Sequence, residues 1–390
     1  MRQLDIITKK YDQILLLLVL ILCVVGTVML YSSSSSISLS ETGGVTDTLF
    51  LRSHLKRMIV GMMAMFFFII MDYRKLKSVA PYLMIASIIL LLATKLVYVF
   101  KGISFPARWL DLGFVTAQTS DIARFSLIVY LAYYIDKKRE KIKDFYSGFF
   151  PPIVLMVMVL TTIVIQPDFS TAAVIGLIGF VMLYIGGAKL PHLLATGAMA
   201  VVVMVPVMLM RSYRMKRVIY WLGSVFGVNS GADLEVVAYQ AQQSLISLGN
   251  GGFWGLGLGN SMEKNLFLPT PHTDFIFAII GEELGLLGAI FMITLFLLIF
   301  QRGLKIAKET TDPFGVLLTV GISFSIIIYA FINVAVVTGI FPVTGLPMPL
   351  VSHGGSSLVM NLASLGILLN ISQAKRSVRH SSGWKPQFNG

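Results

Sequence analysis

Long apolar runs dominate this sequence and decide what it can fold into. A helix needs about 20 apolar residues to cross the core of a bilayer, and ten segments of the chain have that character. They are residues 13–31, 55–71, 79–100, 119–135, 149–165, 170–184, 192–210, 274–300, 314–338 and 352–372. Lipid offers backbone groups no hydrogen-bond partners, so ten such runs predict an all-α, polytopic membrane bundle. We expect residues 1–390 to form a single integral membrane domain.

Composition excludes other classes of protein. Of the 390 residues, 56% are hydrophobic and only 13% are charged, whereas soluble proteins carry about 25% charged residues. A soluble enzyme or secreted globular domain is therefore excluded. The single cysteine, Cys23, lies in the first apolar run, which excludes an intramolecular disulfide and a cysteine-based metal site.

The distribution of lysine and arginine predicts the orientation. Alternate connecting segments that include both chain ends carry about twice as many basic residues as the opposite set. The positive-inside rule then places residues 1–12 and the basic tail 373–390 in the cytoplasm, with residues 211–273 as a large extracytoplasmic loop. This topology accounts for most of the net charge of +12, so we expect no nucleic-acid partner.

Basic residues nevertheless stand at the start of the external loop, in RSYRMKR. They are Arg211, Arg214, Lys216 and Arg217. Positive charge there opposes the orientation signal, so it indicates an anionic ligand or, alternatively, contact with lipid headgroups. A second external loop carries Arg108 beside Trp109.

Acidic residues at membrane depth are costly and mark candidate functional sites. Asp121, Asp168 and Asp274 are predicted at outer helix ends, close to these cations. Asp168 and Asp274 both precede apolar helical runs, so helix capping is the alternative for either. Glu282 and Glu283 lie deeper, and we expect one of them to pair with a buried cation such as Arg124.

Metal binding is a further alternative for Asp274. His272 and Asp274 together provide too few ligands for zinc, but Mg²⁺ or Mn²⁺ bound chiefly by a substrate pyrophosphate needs only one or two carboxylates. The glycine run between Gly251 and Gly259 lacks a preceding strand and a following GK[ST], so it predicts no nucleotide site. We expect no organic cofactor.

Two other segments are unusual. PVTGLPMPLVSHGGSS, residues 342–357, places three prolines and three glycines beside the last span. Such broken or re-entrant backbone is tolerated at membrane depth only against protein or a water-filled cavity. The serine run at residues 32–36 is predicted to be an external loop. Together with the outer charges, the broken segment predicts an outward-facing polar cavity suited to a lipid with an anionic headgroup.

Four motifs in order resemble the SEDS family of peptidoglycan glycosyltransferases. They are ARWLDLG at 107–113, QPDFST at 166–171, AYQAQQSLISLGNGGFWGLGLGNSMEKNLFLPTPHTDFIFAIIGEELG at 238–285, and PVTGLPMPLVSHGGSS at 342–357. The resemblance covers essentially the whole chain. NSMEK and IIGEELG resemble the division branch of the family more than the elongation branch.

The resemblance implies a function. It implies polymerisation of lipid II, the undecaprenyl-pyrophosphate-linked disaccharide-pentapeptide, into β-1,4 glycan at the outer face of the bacterial cytoplasmic membrane. Asp274 matches the family's catalytic aspartate, and a carboxylate is a competent general base for a sugar hydroxyl. Implied partners are a class B penicillin-binding protein and other divisome or elongasome membrane proteins.

A larger set of residues is implied to bind the substrate or its pyrophosphate. This set is Arg108, Trp109, Gln166, Asp168, Arg211, Arg214, Lys216, Arg217, Lys264, His272, Ser352 and Ser356. A structural or ion-pair role is expected for Asp121, Arg124, Glu282 and Glu283.

This chain departs from the family pattern at two places. The family usually reads QPSE followed by lysine where this chain has QTSD, residues 118–121, followed by Arg124, and it usually has tyrosine where His353 stands. The first change keeps charge but alters reach and donor geometry.

Two other functions remain open from the sequence. A transporter of lipid-linked oligosaccharides would also need a polar cavity, although it should carry polar residues along the full depth of its spans. A scaffold of the division machinery would need no general base, and could retain Asp274 as a helix cap.

Overall fold

The structure is a computed structural model, and it describes residues 11–101, 108–111, 116–226, 235–264 and 271–373. Helices make up most of the described part, as predicted. The helices are α1 Gln13–Glu41, α2 Leu49–Ile70, α3 Lys75–Lys101, α4 Thr119–Lys137, α5 Phe150–Ile165, α6 Phe169–Ile185, α7 Leu190–Leu209, α8 Ser212–Phe226, α9 Glu235–Gly251, α10 Ile276–Glu309, α11 Pro313–Val337 and α12 Gly355–Gln373. A π-helical turn, Phe145–Phe149, leads into α5.

Each predicted span corresponds to one of these helices, α1 to α7 and α10 to α12. Eight helices in the described part are long and apolar enough to cross a membrane. The other two are α6, which is apolar but shorter, and α4, which carries Asp121 and Arg124 inside the protein. The prediction of a polytopic helical membrane protein is confirmed.

Several predicted boundaries differ from the observed ones. The serine run at residues 32–36 belongs to α1 and is not an external loop, because Ser33 and Ser34 are buried against the protein. α2 begins at Leu49 rather than at residue 55, and His54 is the buried residue of its first turns. Of the predicted cytoplasmic ends, residues 1–12 and 373–390, the parts at 1–10 and 374–390 lie outside the described residues.

The segment after α7, which is predicted to be extracytoplasmic, contains two helices. α8 and α9 form within it, and both are too polar or too short to count as candidate spans. The sequence predicted this segment only as a long loop, because its hydropathy resembles that of a surface and carries no membrane signal.

A short hairpin precedes α4. Strand β1, Trp109–Asp111, pairs antiparallel with strand β2, Thr116–Gln118, with Trp109 opposite Gln118. The ring of Trp109 packs against Gly355 at the start of α12, where a Cβ would lie 2.7 Å from the ring. The hairpin therefore brings Arg108 and α12 to the same end of the bundle.

Close helix contacts support the irregular segment between α11 and α12. On α12, a Cβ at Gly366 would stand 2.4 Å from the carbonyl oxygen of Met65 on α2. On α1, a Cβ at Gly26 would stand 2.7 Å from the carbonyl oxygen of Leu350, which has a φ of +64°. Residues 342–354 are thus buried or half-buried within the protein, as the proline and glycine content predicted, whereas Ile340 and Phe341 just before them are exposed.

The orientation can be tested with exposed cysteines in a Cys23→Ala background. Val45, 85% exposed in the turn between α1 and α2, should be labelled as Val45→Cys by a membrane-impermeant maleimide on intact cells. Lys138→Cys, just after α4, should be labelled only after permeabilisation, because the positive-inside rule predicts that the basic loops face the cytoplasm. The opposite labelling pattern would contradict the predicted orientation.

Candidate active site

Asp274 lies in the turn that precedes α10 and is half-buried. The N-cap residue of α10 is Phe275, so Asp274 does not cap this helix. Asp168 is the N-cap residue of α6, yet its side chain makes no capping hydrogen bond. The capping alternative is therefore wrong for both aspartates, and their charges need another explanation.

Asn333 of α11 fixes the main chain around Asp274. Its Nδ2 donates to the carbonyl oxygen of Asp274 at 2.7 Å and to that of Leu346 at 2.8 Å. Gly345 has a φ of +74°, and a Cβ at this residue would lie 3.3 Å from Asp274 Oδ2. The irregular segment thus packs directly on the carboxylate, and glycine suits both the conformation and the space.

A cavity of about 240 Å³ opens beside this turn. Its charged lining residues are Arg108, Asp168, Arg214 and Arg217, and its remaining walls come from α6, α7, α8, α11 and residues 341–346. Thr344 and Leu346 line the cavity, on either side of the Gly345 that contacts Asp274. Asp274 is not itself among the lining residues, and it reaches the edge of the cavity through its contact with Gly345.

Each arginine in the cavity is held by a specific contact. Arg108 lies 3.6 Å from Asp168 and donates to the carbonyl oxygen of Pro167. Arg214 is buried, lies over the ring of Phe169 at 5.3 Å, and donates through Nε to the hydroxyl of Tyr213 at 2.9 Å.

Arg217 reaches the irregular segment directly. Its Nη1 donates to the carbonyl oxygen of Val343 at 3.0 Å. Trp221, one turn further along α8, donates through Nε1 to the carbonyl oxygens of Gly339 and Ile340, each at 3.1 Å. α8 therefore covers residues 339–343, and its buried face carries the two cations that line the cavity.

Two basic residues of the RSYRMKR cluster do not line the cavity. Arg211 and Lys216 are exposed on the outside of this region, while Arg214 and Arg217 face inward. The helical period places Arg214 and Arg217 on one face of α8 and Lys216 on another, whereas Arg211 precedes the first residue of the helix.

Electrostatics at Asp274 favour a group that titrates close to neutrality. Burial raises the pKa of Asp274 to about 6, the positive charges of Arg217 and Arg108 lower it, and Asp168 raises it. Burial lowers the pKa of Arg217. At neutral pH most Asp274 side chains are ionised and can accept a proton.

His272 belongs to a cluster of aromatic and imidazole rings. Its ring lies 4.4 Å from that of Phe50 and 5.8 Å from that of His353. His353 donates its backbone N–H to the carbonyl oxygen of His272 at 2.8 Å, and Arg57 Nη1 lies 3.0 Å from His353 Nε2. Burial lowers the pKa of His272 to about 4, so this ring is neutral.

Four residues implied to bind substrate have protein partners instead. Gln166 donates to the carbonyl oxygen of Leu91 at 2.7 Å. The hydroxyl of Ser352 accepts from the backbone N–H of Met348 at 2.8 Å. These contacts hold the two side chains within the protein, and neither residue lines the cavity.

The hydroxyl of Ser356 links two parts of the fold. It accepts from the backbone N–H of Gln118 at 2.8 Å and donates to Asp121 at 3.0 Å. Lys264, the fourth such residue, is 5% exposed and pairs with Glu283 at 3.1 Å. Trp109, another member of the implied set, packs on Gly355.

The buried ion pairs differ from the predicted one. Arg124 lies 3.5 Å from Asp121 and donates to Asn361 at 3.0 Å, so it does not serve Glu282 or Glu283. Glu283 pairs with Lys264 and accepts from the hydroxyl of Ser32 at 2.6 Å.

Glu282 has hydroxyl partners in the described part of the chain. It accepts from Ser247 at 2.9 Å and from Ser261 at 2.5 Å. The carboxylates therefore fasten residues 261–264 to α10, a contact that sequence spacing alone could not reveal.

Within the described ranges, no group of three or more His, Cys, Asp or Glu side chains is placed to hold a metal ion. The carboxylates nearest the cavity are Asp274 and Asp168, and the second of these is paired with Arg108. This donor set fits only a cation whose other ligands come from a substrate.

Sequence reasoning missed several residues that shape the site. Asn333 was detectable as a polar residue within the apolar span of α11. Gly345 lay inside a motif that was read only as broken backbone. Arg57 and His54 on α2 gave no signal, because they stand in a polar stretch at a span end.

Comparison with known proteins agrees with this architecture. The family model of the FtsW, RodA and SpoVE cell cycle proteins matches residues 12–377. "Probable peptidoglycan glycosyltransferase FtsW" of Trichlorobacter lovleyi is 36% identical over 363 residues, which is 93% of each chain. "Stage V sporulation protein E" of Bacillus subtilis is 34% identical and covers 95% of this chain and 99% of its own.

Solved structures resemble the chain over nearly its whole length. A chain from a peptidoglycan synthase complex, described as coordinating polymerization and crosslinking, has a TM-score of 0.75 at 25% identity and covers 94% of this chain and 99% of its own. The rod shape determining protein RodA of Thermus thermophilus has a TM-score of 0.68 at 24% identity and covers 94% and 98%. Because the family model runs from the first described helix to the last, this chain belongs to the FtsW, RodA and SpoVE family.

Proposed function

We propose that this chain is a peptidoglycan glycosyltransferase that polymerises lipid II at the outer face of the bacterial cytoplasmic membrane. The relatives named FtsW favour a role in building the division septum. The observation that carries the proposal is the placement of Asp274, a carboxylate with a pKa raised to about 6, next to a cavity lined by three arginines.

The chemistry requires one base and one group of cations. The hydroxyl oxygen of the acceptor sugar bonds to the anomeric carbon of the donor while the bond from that carbon to the pyrophosphate oxygen breaks. Asp274 accepts the hydroxyl proton. The electron pair leaves with undecaprenyl pyrophosphate, whose charge needs cations rather than an acid.

Arg108, Arg214 and Arg217 are the side chains proposed to hold that pyrophosphate. Arginine binds phosphate through a planar fork of donors, and its contacts gain strength as charge develops on the leaving group. A single displacement inverts the anomeric carbon, so an α-linked donor gives a β-1,4 glycan.

A divalent cation fits this scheme only as a companion of the substrate. Mg²⁺ or Mn²⁺ bound by the pyrophosphate would share Asp274 as its protein ligand and would help neutralise the leaving group. The remaining positive charge comes from the protein.

The partner proposal concerns the cross-linking of the glycan product. The described residues form a helical membrane domain with no soluble transpeptidase fold, and glycan strands must be cross-linked. We therefore expect it to act with a class B penicillin-binding protein and other divisome or elongasome membrane proteins. The synthase complex that it resembles supports this expectation.

The orientation proposed here has both termini in the cytoplasm. It places Asp274, the cavity and α8 on the outer side of the membrane, where the headgroup of lipid II would reach them.

Removal of the base should abolish polymerisation without unfolding the protein. Asp274→Asn keeps the size of the side chain but removes the proton acceptor, so the rate of lipid II polymerisation in detergent or vesicles should fall by about 10² or more. Asp47→Asn is the matched control and should retain activity, because this half-exposed carboxylate in the loop between α1 and α2 accepts a hydrogen bond only from the hydroxyl of Tyr31 among the described contacts and lies outside the cavity. An Asp274→Asn protein with native activity would overturn the assignment of the base.

The pH dependence of polymerisation activity should reflect the ionisation of Asp274 and the charges near it. Activity should rise as pH increases through about 6, since the ionised carboxylate is the active form. Arg217 favours that form, so Arg217→Ala should move the midpoint to higher pH and lower kcat more than it raises KM.

Lys216→Ala is the matched control for the pH experiment. It removes one positive charge from the same helix at an exposed position outside the cavity. An equal shift for both variants would mean that general surface charge, rather than the position of Arg217, sets the midpoint.

Co-purification tests the partner proposal. The full-length protein, solubilised in mild detergent, should retain its cognate class B penicillin-binding protein at a stoichiometric level. Failure with every such protein of the same cell would contradict the proposal.

A further inference from the structure

The glycine-rich segment after α9 presents apolar side chains outward. Phe253 is 53% exposed, Trp254 is 78% exposed, and Leu256 and Leu258 are also exposed. The exposed residues between positions 249 and 262 are uncharged, whereas the neighbouring Glu263 and Lys264 are buried. A water-facing loop would not be expected to combine these properties.

This segment forms backbone hydrogen bonds with α10 at a break in that helix. Gly285 has φ 66° and ψ −166°, which interrupts the helix. The backbone N–H groups of Leu256 and Gly257 donate to the carbonyl oxygens of Glu282 and Glu283 at 2.9 and 3.0 Å. In return, the N–H of Leu286 donates to the carbonyl oxygen of Gly252 at 2.9 Å.

The glycines permit this close approach. A Cβ at Gly251 would stand 2.0 Å from the carbonyl oxygen of Gly281, and a Cβ at Gly255 would stand 2.3 Å from that of Glu283. Only residues without a side chain can bring the two backbones into hydrogen-bonding contact. Irregular backbone paired in this way is compatible with membrane depth.

The position of the break along α10 sets the depth of the segment. Outward-facing apolar side chains on α10 begin at Leu286 and Leu287, and the basic end begins at Arg302. These 16 residues correspond to about 24 Å of helix, less than the roughly 30 Å of a bilayer core. Leu286 and the segment bonded to it therefore fall within the apolar layer, close to its edge.

We propose that Phe253, Trp254, Leu256 and Leu258 insert into the leaflet on the Asp274 side of the membrane. The lipid-facing surface of α10 continues without interruption onto this segment, and tryptophan is the side chain that favours the edge of the apolar layer. The segment thereby anchors the chain leading to Asp274 at the level of the lipid headgroups.

Depth measurements by electron paramagnetic resonance test this proposal. In a Cys23→Ala background, a nitroxide is attached to Trp254→Cys or Leu258→Cys in the full-length protein, reconstituted into phosphatidylglycerol vesicles. Collision rates with oxygen and with a nickel chelate are compared with two reference sites. Val45→Cys is the water reference, and Met199→Cys, 69% exposed at the middle of α7, is the lipid reference.

At positions 254 and 258, collisions with the nickel chelate should be several-fold rarer than at position 45. Their ratio to oxygen collisions should lie between those of the two reference sites. Values equal to the water reference would overturn the proposal. So would exclusion of both reagents, which would show that a second copy of the protein covers the surface. This readout is independent of polymerisation, so its failure would leave the proposed activity standing.

Discussion

The structure depends on one constraint, which is that backbone polar groups within a bilayer must find partners inside the protein. Most of the chain meets it with helices. Two segments near the proposed outer face are not helical, and neighbouring residues supply their hydrogen bonds. Backbone carbonyl groups of residues 338–354 accept from the side chains of Asn333, Arg217 and Trp221. Backbone groups of residues 251–257 bond with the backbone of α10. The cavity lies between residues 341–346 and helix α8, which covers this irregular segment.

Burial within the protein also determines the pKa of Asp274. Burial makes an ionised carboxylate costly, which raises the pKa of Asp274, and Arg217 and Arg108 limit that rise. A carboxylate near its titration point is an effective general base, and the cations that hold it there are the groups a leaving pyrophosphate requires. One arrangement of charges thus serves both halves of the proposed displacement.

Sequence alone predicted the spans, because apolar composition over about 20 residues is what a bilayer requires. Asp274 was identified as an acidic residue at a span end, and Arg214 and Arg217 as positive charges on the side that the positive-inside rule disfavours. What could not be predicted were pairings over long separations. Lys264 resembled a phosphate ligand but neutralises Glu283, and Arg124 binds Asp121. Helix α8 was not predicted, because its amphipathic sequence resembles that of a polar loop. The orientation of this helix about its axis determines which of its basic side chains face the cavity.

The most direct test of this account is an experimental structure of the protein with undecaprenyl pyrophosphate bound in a lipid nanodisc. We expect the pyrophosphate within about 4 Å of the guanidinium groups of Arg108 and Arg217, an ion-pair distance, with the sugar-bearing end directed at Asp274. A pyrophosphate bound elsewhere, with the cavity between α6, α8 and residues 341–346 empty, would contradict it.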